Sequence, residues 1–161
     1  MKHEVPIAIR PFAPGDTVAI VAVTGEVFGP FAIDAMIEQM VGRGGADWLA
    51  VKAQSIREDL AENPEGCFVA ELEGRVVGYV TTTIDRLAGR GTVADLAVSA
   101  AFQGRGLGRR LVDTAIEHFR SLGLCQAKIK TLACNAAGQH LYRAMGFREV
   151  VRQIHFIMPL R

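Results

Sequence analysis

Residues 93–119 read VADLAVSAAFQGRGLGRRLVDTAIEHF, and this stretch decides the fold. The segment Thr92 to Val98 is apolar and β-branched with Asp95 as its one charge, which predicts a buried strand. The glycine-rich turn Gln103–Gly108 follows, and apolar residues then recur at helical spacing as far as Leu122. A strand that enters a helix through such a turn directs free backbone N–H groups and the positive end of the helix dipole at one point. The stretch therefore predicts a phosphate-bearing ligand, held by backbone and by the nearby side chains of Arg105, Arg109 and Arg110.

Two common phosphate-binding motifs do not fit this turn. A Walker loop ends in Gly-Lys-Ser/Thr, whereas this loop ends in Gly108 followed by two arginines. A dinucleotide fingerprint needs a third glycine where Arg109 stands. The ligand is therefore predicted to be neither a nucleoside triphosphate in a Walker loop nor a dinucleotide.

Two motifs in order resemble the GCN5-related N-acetyltransferase (GNAT) family. Gln103, Gly106 and Gly108 match the family's pyrophosphate loop Gln/Arg-x-x-Gly-x-Gly/Ala, and the segment DLAV precedes it. Downstream, residues 135–147 read NAAGQHLYRAMGF and match Asn-x-x-Ala-x-x-Leu-Tyr-x-x-x-Gly-Phe, with Gly138 in place of the usual alanine. The resemblance extends from about Cys67 to Pro159 and is only general in the first third of the chain.

The resemblance implies an α/β fold with one N-acetyltransferase domain over residues 1–161. Its mixed, mostly antiparallel sheet is flanked by helices, and the central parallel strands Thr92–Val98 and Ala127–Leu132 splay apart. The pantetheine arm of acetyl-CoA, the co-substrate, is expected to enter that wedge. The implied contacts to acetyl-CoA are Leu96, Ala97, Val98, Gln103, Gly104, Arg105, Gly106, Leu107, Gly108, Arg109, Asn135 and Tyr142.

Acetyl transfer needs a proton donor for the departing thiolate and a base for the acceptor amine. The resemblance implies that Tyr142 is the general acid, since a tyrosine stays protonated at neutral pH; the alternative is a packing aromatic. For the base, Asp95 is our candidate because burial in an apolar strand raises a carboxyl pKa. The alternative for Asp95 is a structural aspartate, at the polar rim of the sheet or paired with an arginine. The alternative bases are His155, Glu71 and a water molecule.

The other predicted elements follow from turn residues and periodicity. Strands are expected at Val5–Phe12, Cys67–Leu72 and Arg75–Ile84, the last two joined by the tight turn Glu73-Gly74. Two further strands, Phe147–Val151 and Gln153–Met158, are expected to close the sheet. Helices are predicted from Asp16 to about Val27, from about Ile33 to Gly42, from Asp47 to about Glu62, and from Ala137 to Met145.

Composition limits the partners and the compartment. The net charge is +1, without a basic block, so we expect no nucleic-acid and no membrane partner. Cys67, Cys125 and Cys134 have no metal-ligand spacing, so we expect no metal and reduced thiols in a cytoplasmic protein.

The predicted activity is direct acetyl transfer in a ternary complex. No residue is in a nucleophile setting that predicts an acetyl-enzyme. The acceptor is predicted to be a small-molecule or peptide amine, and a homodimer is among the expected assemblies. The alternative function is a non-catalytic acyl-CoA-binding or regulatory domain.

Overall fold

A five-stranded mixed sheet flanked by five α-helices forms the computed structural model, which describes residues 6–160. The strands are β1 Ala8–Pro11, β2 Phe68–Leu72, β3 Arg75–Asp85, β4 Arg90–Val98 and β5 Gln126–Ile129. The helices are α1 Thr17–Val27, α2 Ile33–Val41, α3 Trp48–Glu62, α4 Leu107–Ser121 and α5 Ala136–Ala144. The predicted α/β architecture is confirmed.

The sheet has the order β1-β2-β3-β4-β5, with antiparallel neighbours except for the parallel pair β4 and β5. The β2–β3 hairpin turns where predicted, at Glu73 (φ 49°) and Gly74 (φ 80°). Two consecutive positive φ angles match the right-handed twist of the strands they join. Of the first predicted strand, Val5 lies outside the described residues.

The strand β4 pairs with β3 along its whole length but with β5 only in its first half. Thr81 of β3 pairs with Asp95, but Thr82 pairs with Val93, so Ala94 is an extra residue that forms a β-bulge. The parallel ladder to β5 ends at the same point, with Val93 opposite Ile129. Beyond it, residues 96–98 pair with β3 on one side only, which confirms the predicted splay of the two parallel strands.

Two apolar clusters cover the two faces of the sheet. On one face, residues of α1 and α3 such as Ile20 and Ile56 pack against Tyr79 and Ala97. On the other, α4 packs Leu111 and neighbouring residues against the same sheet, with Tyr142 at the edge of that cluster. Among residues 6–160, no helix is both long and apolar enough to cross a membrane.

The prediction of two closing strands, Phe147–Val151 and Gln153–Met158, is wrong. Residues 147–160 have no regular structure and are mostly exposed. The expected neighbour, β5, ends at Ile129 rather than Leu132 and exposes three of its four residues. Strand propensity acts only where side chains pack against a neighbouring surface, and this edge offers little.

Local ion pairs hold the start of that segment in another arrangement. Glu149 accepts hydrogen bonds from Arg143 of α5 at 3.1 Å and from Arg152 at 2.6 Å. In an extended strand, side chains three residues apart point to opposite faces, so the ion pair between residues 149 and 152 does not fit strand geometry. The apolar alternation of residues 150–158 therefore does not lead to sheet pairing.

Candidate functional site

The glycine turn after β4 leaves the first N–H groups of α4 without side-chain caps. Gly106 is the N-cap, in the left-handed conformation with φ 77°, and Gly104 has φ 73°. The first helical hydrogen bond runs from the Arg110 N–H to the Gly106 carbonyl at 3.1 Å. The N–H groups of residues 107–109 precede it and have no helical or side-chain acceptor, with the positive end of the helix dipole behind them.

Side chains fix the chain on both sides of this turn. The Gln103 amide donates a hydrogen bond to the Val98 carbonyl at 2.8 Å, so this predicted contact residue clamps the turn to the end of β4. The hydroxyl of the buried Ser99 donates its single hydrogen to the Glu26 carboxylate of α1, with both carboxylate oxygens 2.9 Å away, and the Ala100 N–H donates to the same carboxylate at 2.7 Å. These contacts hold the start of the loop in a defined position.

The three arginines near the turn differ in their surroundings. Arg105 lies over the Phe102 ring, 5.6 Å from its centroid, and Arg109 is 3.8 Å from Asp113 on the same helix face. Both are exposed and could reach a phosphate in the turn. Arg110 instead donates to the Ile7 carbonyl at 2.8 Å, so its guanidinium ties α4 to the chain before β1.

Asn135 directly precedes α5, and Tyr142 lies within that helix. Asn135 is the N-cap, and its side-chain oxygen accepts from the Gly138 N–H at 3.0 Å while its amide donates to Thr131 at 3.0 Å. Tyr142 is half-buried, with its ring edge-on to Phe147 at 6.2 Å. Burial, and then the negative charge of Asp95, raises the pKa of Tyr142 to about 12. The phenol is therefore protonated throughout the neutral range.

Asp95 is buried at the bulge and is paired with a lysine rather than an arginine. Its carboxylate accepts a hydrogen bond from the Lys52 ammonium of α3 at 2.5 Å, and the two side chains are 6% and 19% exposed. The ammonium also lies 5.0 Å from the centroid of the Phe28 ring. The Asp95 N–H donates to the Thr81 hydroxyl at 3.1 Å. The site thus has a carboxylate at the point where β4 leaves β5.

A second acid, Asp59 of α3, lies behind this pair. The Thr81 hydroxyl donates a hydrogen bond to its carboxylate at 3.4 Å. Burial, followed by the negative charge of Asp95, raises the pKa of Asp59 from 3.8 to about 6. Asp59 therefore changes its charge in a pH range where ordinary aspartates stay ionised.

We predict that Asp59→Asn stabilises the protein at pH 8. A pKa that is raised in the folded state means that folding favours the protonated carboxyl of Asp59. Its contribution to the free energy of unfolding is fully present below about pH 4 and is lost as the pH rises through 6, where the buried carboxylate becomes charged. The neutral side chain of Asp59→Asn avoids that loss. Two pKa units correspond to at most about 3 kcal/mol, and solvent screening of this half-buried group reduces that to about 1 kcal/mol. Urea unfolding at pH 4 and pH 8 measures it, with the exposed Asp113→Asn as control. An equal effect of Asp59→Asn at both pH values would contradict the prediction.

The other base candidates are less well placed. Glu71 is held by Arg10, with 2.6 Å between the Arg10 Nη2 and a carboxylate oxygen. His155 lies exposed in the irregular segment 147–160. Within the described residues, no group of three or more His, Cys, Asp or Glu side chains is arranged to hold a metal.

Sequence reasoning missed Glu26, Lys52 and Asp59. Lys52 follows Trp48 by one helical turn and precedes Ile56 by another, so it stands in the inward apolar stripe of α3. A lone cation at such a position predicts a buried partner. Glu26 is likewise the one charge of α1. Both signals were available, but neither identifies the partner, which lies 43 residues away for Lys52 and 73 for Glu26.

Comparisons with known proteins agree with this geometry. The family model described as the acetyltransferase (GNAT) family matches residues 32–147. The mycothiol acetyltransferase of Tsukamurella paurometabola is 30% identical over 162 residues, an alignment that covers 93% of this chain and 51% of that protein. The chain thus spans about half the length of this relative.

Solved structures show the same fold. The PaiA N-acetyltransferase from Thermoplasma acidophilum, in complex with coenzyme A, superposes with a TM-score of 0.72 at 16% identity, covering 89% of this chain and 90% of that one. The ribosomal-protein-S18-alanine N-acetyltransferase from Escherichia coli gives 0.68 at 19% identity, covering 91% and 80%. With the family model matched over residues 32–147, the chain belongs to the acetyltransferase (GNAT) family.

Proposed function

We propose that this protein transfers the acetyl group of acetyl-CoA directly to a primary amine. The observation that carries the proposal is the continuity of three features along β4. The strand ends in the uncapped glycine turn, which we propose to bind an anion. Just before the turn, residues 96–98 have no strand partner on the β5 side. Before them, the buried carboxylate of Asp95 lies at the bulge. Such an arrangement suits a ligand with a phosphate group at one end and a reactive carbonyl at the other.

In this proposal the pyrophosphate of acetyl-CoA lies against the N–H groups of residues 107–109, with Arg105 and Arg109 beside it. The pantetheine arm pairs with the backbone of Leu96 and Ala97 along the free edge of β4. Asn135 contributes the second N–H of its side-chain amide to the arm, because the first donates to Thr131 and the amide oxygen accepts from Gly138. The thioester then reaches the bulge, next to Asp95.

The proposed chemistry divides proton transfers between two side chains. Asp95 accepts a proton from the acceptor ammonium, and the neutral amine attacks the thioester carbonyl carbon. Tyr142 donates its proton to the sulfur as the carbon–sulfur bond breaks, and the phenolate is reprotonated by the second proton that the amine nitrogen loses. The raised pKa of Tyr142 keeps the phenol proton in place until the thiolate forms. The two side chains approach from opposite faces, since Asp95 contacts α3 and Tyr142 packs in the α4 cluster.

The acceptor is proposed to approach from the side of α1, α2 and α3. A cavity of about 320 Å³ opens there, lined by Gly29, Ala35, Glu38, Gln39 and Trp48. The names of the similar proteins include one small molecule, mycothiol, and one protein residue, the alanine of ribosomal protein S18. We therefore propose a primary amine on a small molecule or on a peptide N-terminus.

We also propose that residues 1–161 act as one catalytic domain in the cytoplasm. The three cysteines Cys67, Cys125 and Cys134 are free thiols, which suits a reducing compartment. The homodimer stays a prediction.

The binding half of the proposal is tested by thermal melting with CoA, NAD and ATP. A ligand at about a hundred times its Kd adds roughly 2.7 kcal/mol to the free energy of unfolding. We expect this stabilisation with CoA and acetyl-CoA, and little with the other two, because neither carries a pantetheine arm for the free edge of β4. Equal shifts with all three ligands, or no shift with CoA, would contradict the proposal.

Gly106→Ala should weaken CoA binding about tenfold. Gly106 has φ 77°, and an alanine in this left-handed conformation costs about 1–2 kcal/mol. The turn of the variant therefore adopts another conformation in the free protein, and CoA binding must supply the free energy that restores the left-handed one, which corresponds to about a tenfold loss of affinity. The matched control is Gly74→Ala in the hairpin turn, where φ is 80° and an added Cβ also meets no atom within 4 Å. Calorimetric titration should show normal affinity for this control. Equal affinity losses in both variants would point to a general folding effect.

A further inference from the structure

The Lys52 ammonium lies where an acceptor amine would be expected. It is 2.5 Å from the Asp95 carboxylate oxygen and 5.0 Å from the centroid of the Phe28 ring. A carboxylate together with an aromatic face is a general binding site for an organic ammonium ion. Here that site is filled by a primary ammonium of the chain itself, and it is largely shielded from water.

The position along β4 brings this ammonium close to the thioester. Residues 96–98 form the unpaired edge, and the anion-binding turn follows at their C-terminal end. A donor with its phosphates at the turn therefore runs back along β4, and its acyl end reaches Asp95 after about three residues, or roughly 10 Å. Lys52 contacts Asp95 from the α3 side, opposite the face where Tyr142 packs.

We propose that Lys52 is a self-acetylation site, at which the chain transfers an acetyl group from acetyl-CoA to its own Nζ. This inference rests on the proposed acetyl transfer and adds a modification site to it. Asp95 takes one proton from the Lys52 ammonium, and the neutral Nζ attacks the thioester carbon. A carbon–nitrogen bond forms, the carbon–sulfur bond breaks, and the thiolate takes the proton of Tyr142. The second proton that Nζ loses returns to the Tyr142 phenolate. The products are Nε-acetyl-Lys52, CoA and the one proton taken up by Asp95, which is released to solvent.

Acetylation would change the charge of the site. An amide cannot form the ion pair with Asp95, so the carboxylate loses its cationic partner and the site becomes accessible to an external ammonium. Self-acetylation is thus a single event for each chain, after which Asp95 serves added amines.

The test is incubation with acetyl-CoA in the absence of added amine, followed by intact mass and peptide mapping. The chain contains four lysines, Lys2, Lys52, Lys128 and Lys130. Lys128 and Lys130 are exposed and report uncatalysed acetylation in the same sample. We expect one acetyl group, at Lys52, formed at least about tenfold faster than at either exposed lysine. In Tyr142→Phe the rate at Lys52 should fall by about 10²-fold or more, with no change at the exposed lysines.

A mixing experiment tests whether transfer occurs within one chain. Isotope-labelled Tyr142→Phe protein is mixed with unlabelled parent protein, and the labelled Lys52 should stay unmodified. Lys52→Arg keeps the positive charge, so it should fold and take up no acetyl group. Modification of labelled Lys52, or equal rates at Lys52, Lys128 and Lys130, would overturn the proposal.

A separate assay distinguishes this inference from the proposed function. If Lys52 stays unmodified while the parent protein releases CoA upon addition of an amine, self-acetylation is wrong and the acetyltransferase proposal stands. If neither Lys52 nor any added amine is acetylated, both fail.

Discussion

Tyr142→Phe is expected to lower kcat by about 10²- to 10⁴-fold, the usual contribution of a general acid. The substitution removes one oxygen and keeps the ring that packs against Phe147, so folding and CoA affinity should change little. Because the proton is needed only as the carbon–sulfur bond breaks, kcat and kcat/KM should fall together. The measurement is single-turnover CoA release, which avoids masking by slow product release.

The control for this variant is Phe147→Leu, which alters the packing of the Tyr142 ring but keeps the phenol. It should lose some stability and retain most of its turnover. A folded Tyr142→Phe protein with near-normal single-turnover rates would remove Tyr142 from the proposed mechanism, and water would then have to protonate the sulfur.

Asp95→Asn is expected to lower kcat by about 10²-fold or more, because the acceptor ammonium loses its proton acceptor. The same change leaves the Lys52 ammonium without its carboxylate partner, although the Lys52 side chain is only 19% exposed. Removal of one partner of a buried pair costs roughly 3–5 kcal/mol of unfolding free energy, and we expect the low end because the Lys52 side chain is partly exposed. Activity and stability should therefore both fall, and the two effects must be separated.

The double variant Asp95→Asn with Lys52→Met separates them. It removes both charges, so its unfolding free energy should return to within about 1 kcal/mol of the parent, since a buried ion pair contributes little net stability. Its turnover should remain low. Recovery of turnover in the double variant would mean that Asp95 only holds Lys52, and would contradict its role as the base.

The parts of the fold that depend on local chemistry were predictable from sequence. The β2–β3 hairpin follows from Glu73-Gly74, whose residues adopt the positive φ angles that the turn requires. The Gln103–Gly108 turn similarly predicted the uncapped start of α4. The splay of β4 from β5 came from the family resemblance, and in the structure it begins next to the extra residue Ala94.

The parts that depend on distant contacts were not predictable. Lys52 and Asp95 are 43 residues apart, and the pairing becomes visible only when α3 packs on the sheet. The segment Gln153–Met158 shows the opposite failure, since its alternation predicts a strand but the edge of β5 gives it no surface to pack on. Gln103 was predicted to contact the cofactor, and the structure adds that its amide clamps the loop to Val98.

The central claim, amine-dependent acetyl transfer from acetyl-CoA, is tested most directly by measuring free CoA and acetylated amine in the same reaction. The panel should contain a polyamine, an amino acid, an aminoglycoside and short peptides with a free N-terminus. After the single self-acetylation event, we expect CoA to form only when an accepted amine is present, in equal amount to the acetylated product. In Tyr142→Phe the rates of formation of both should fall by about 10²- to 10⁴-fold. CoA release that is independent of every amine, or stable binding of acetyl-CoA without acetylation of any amine in the panel, would contradict it.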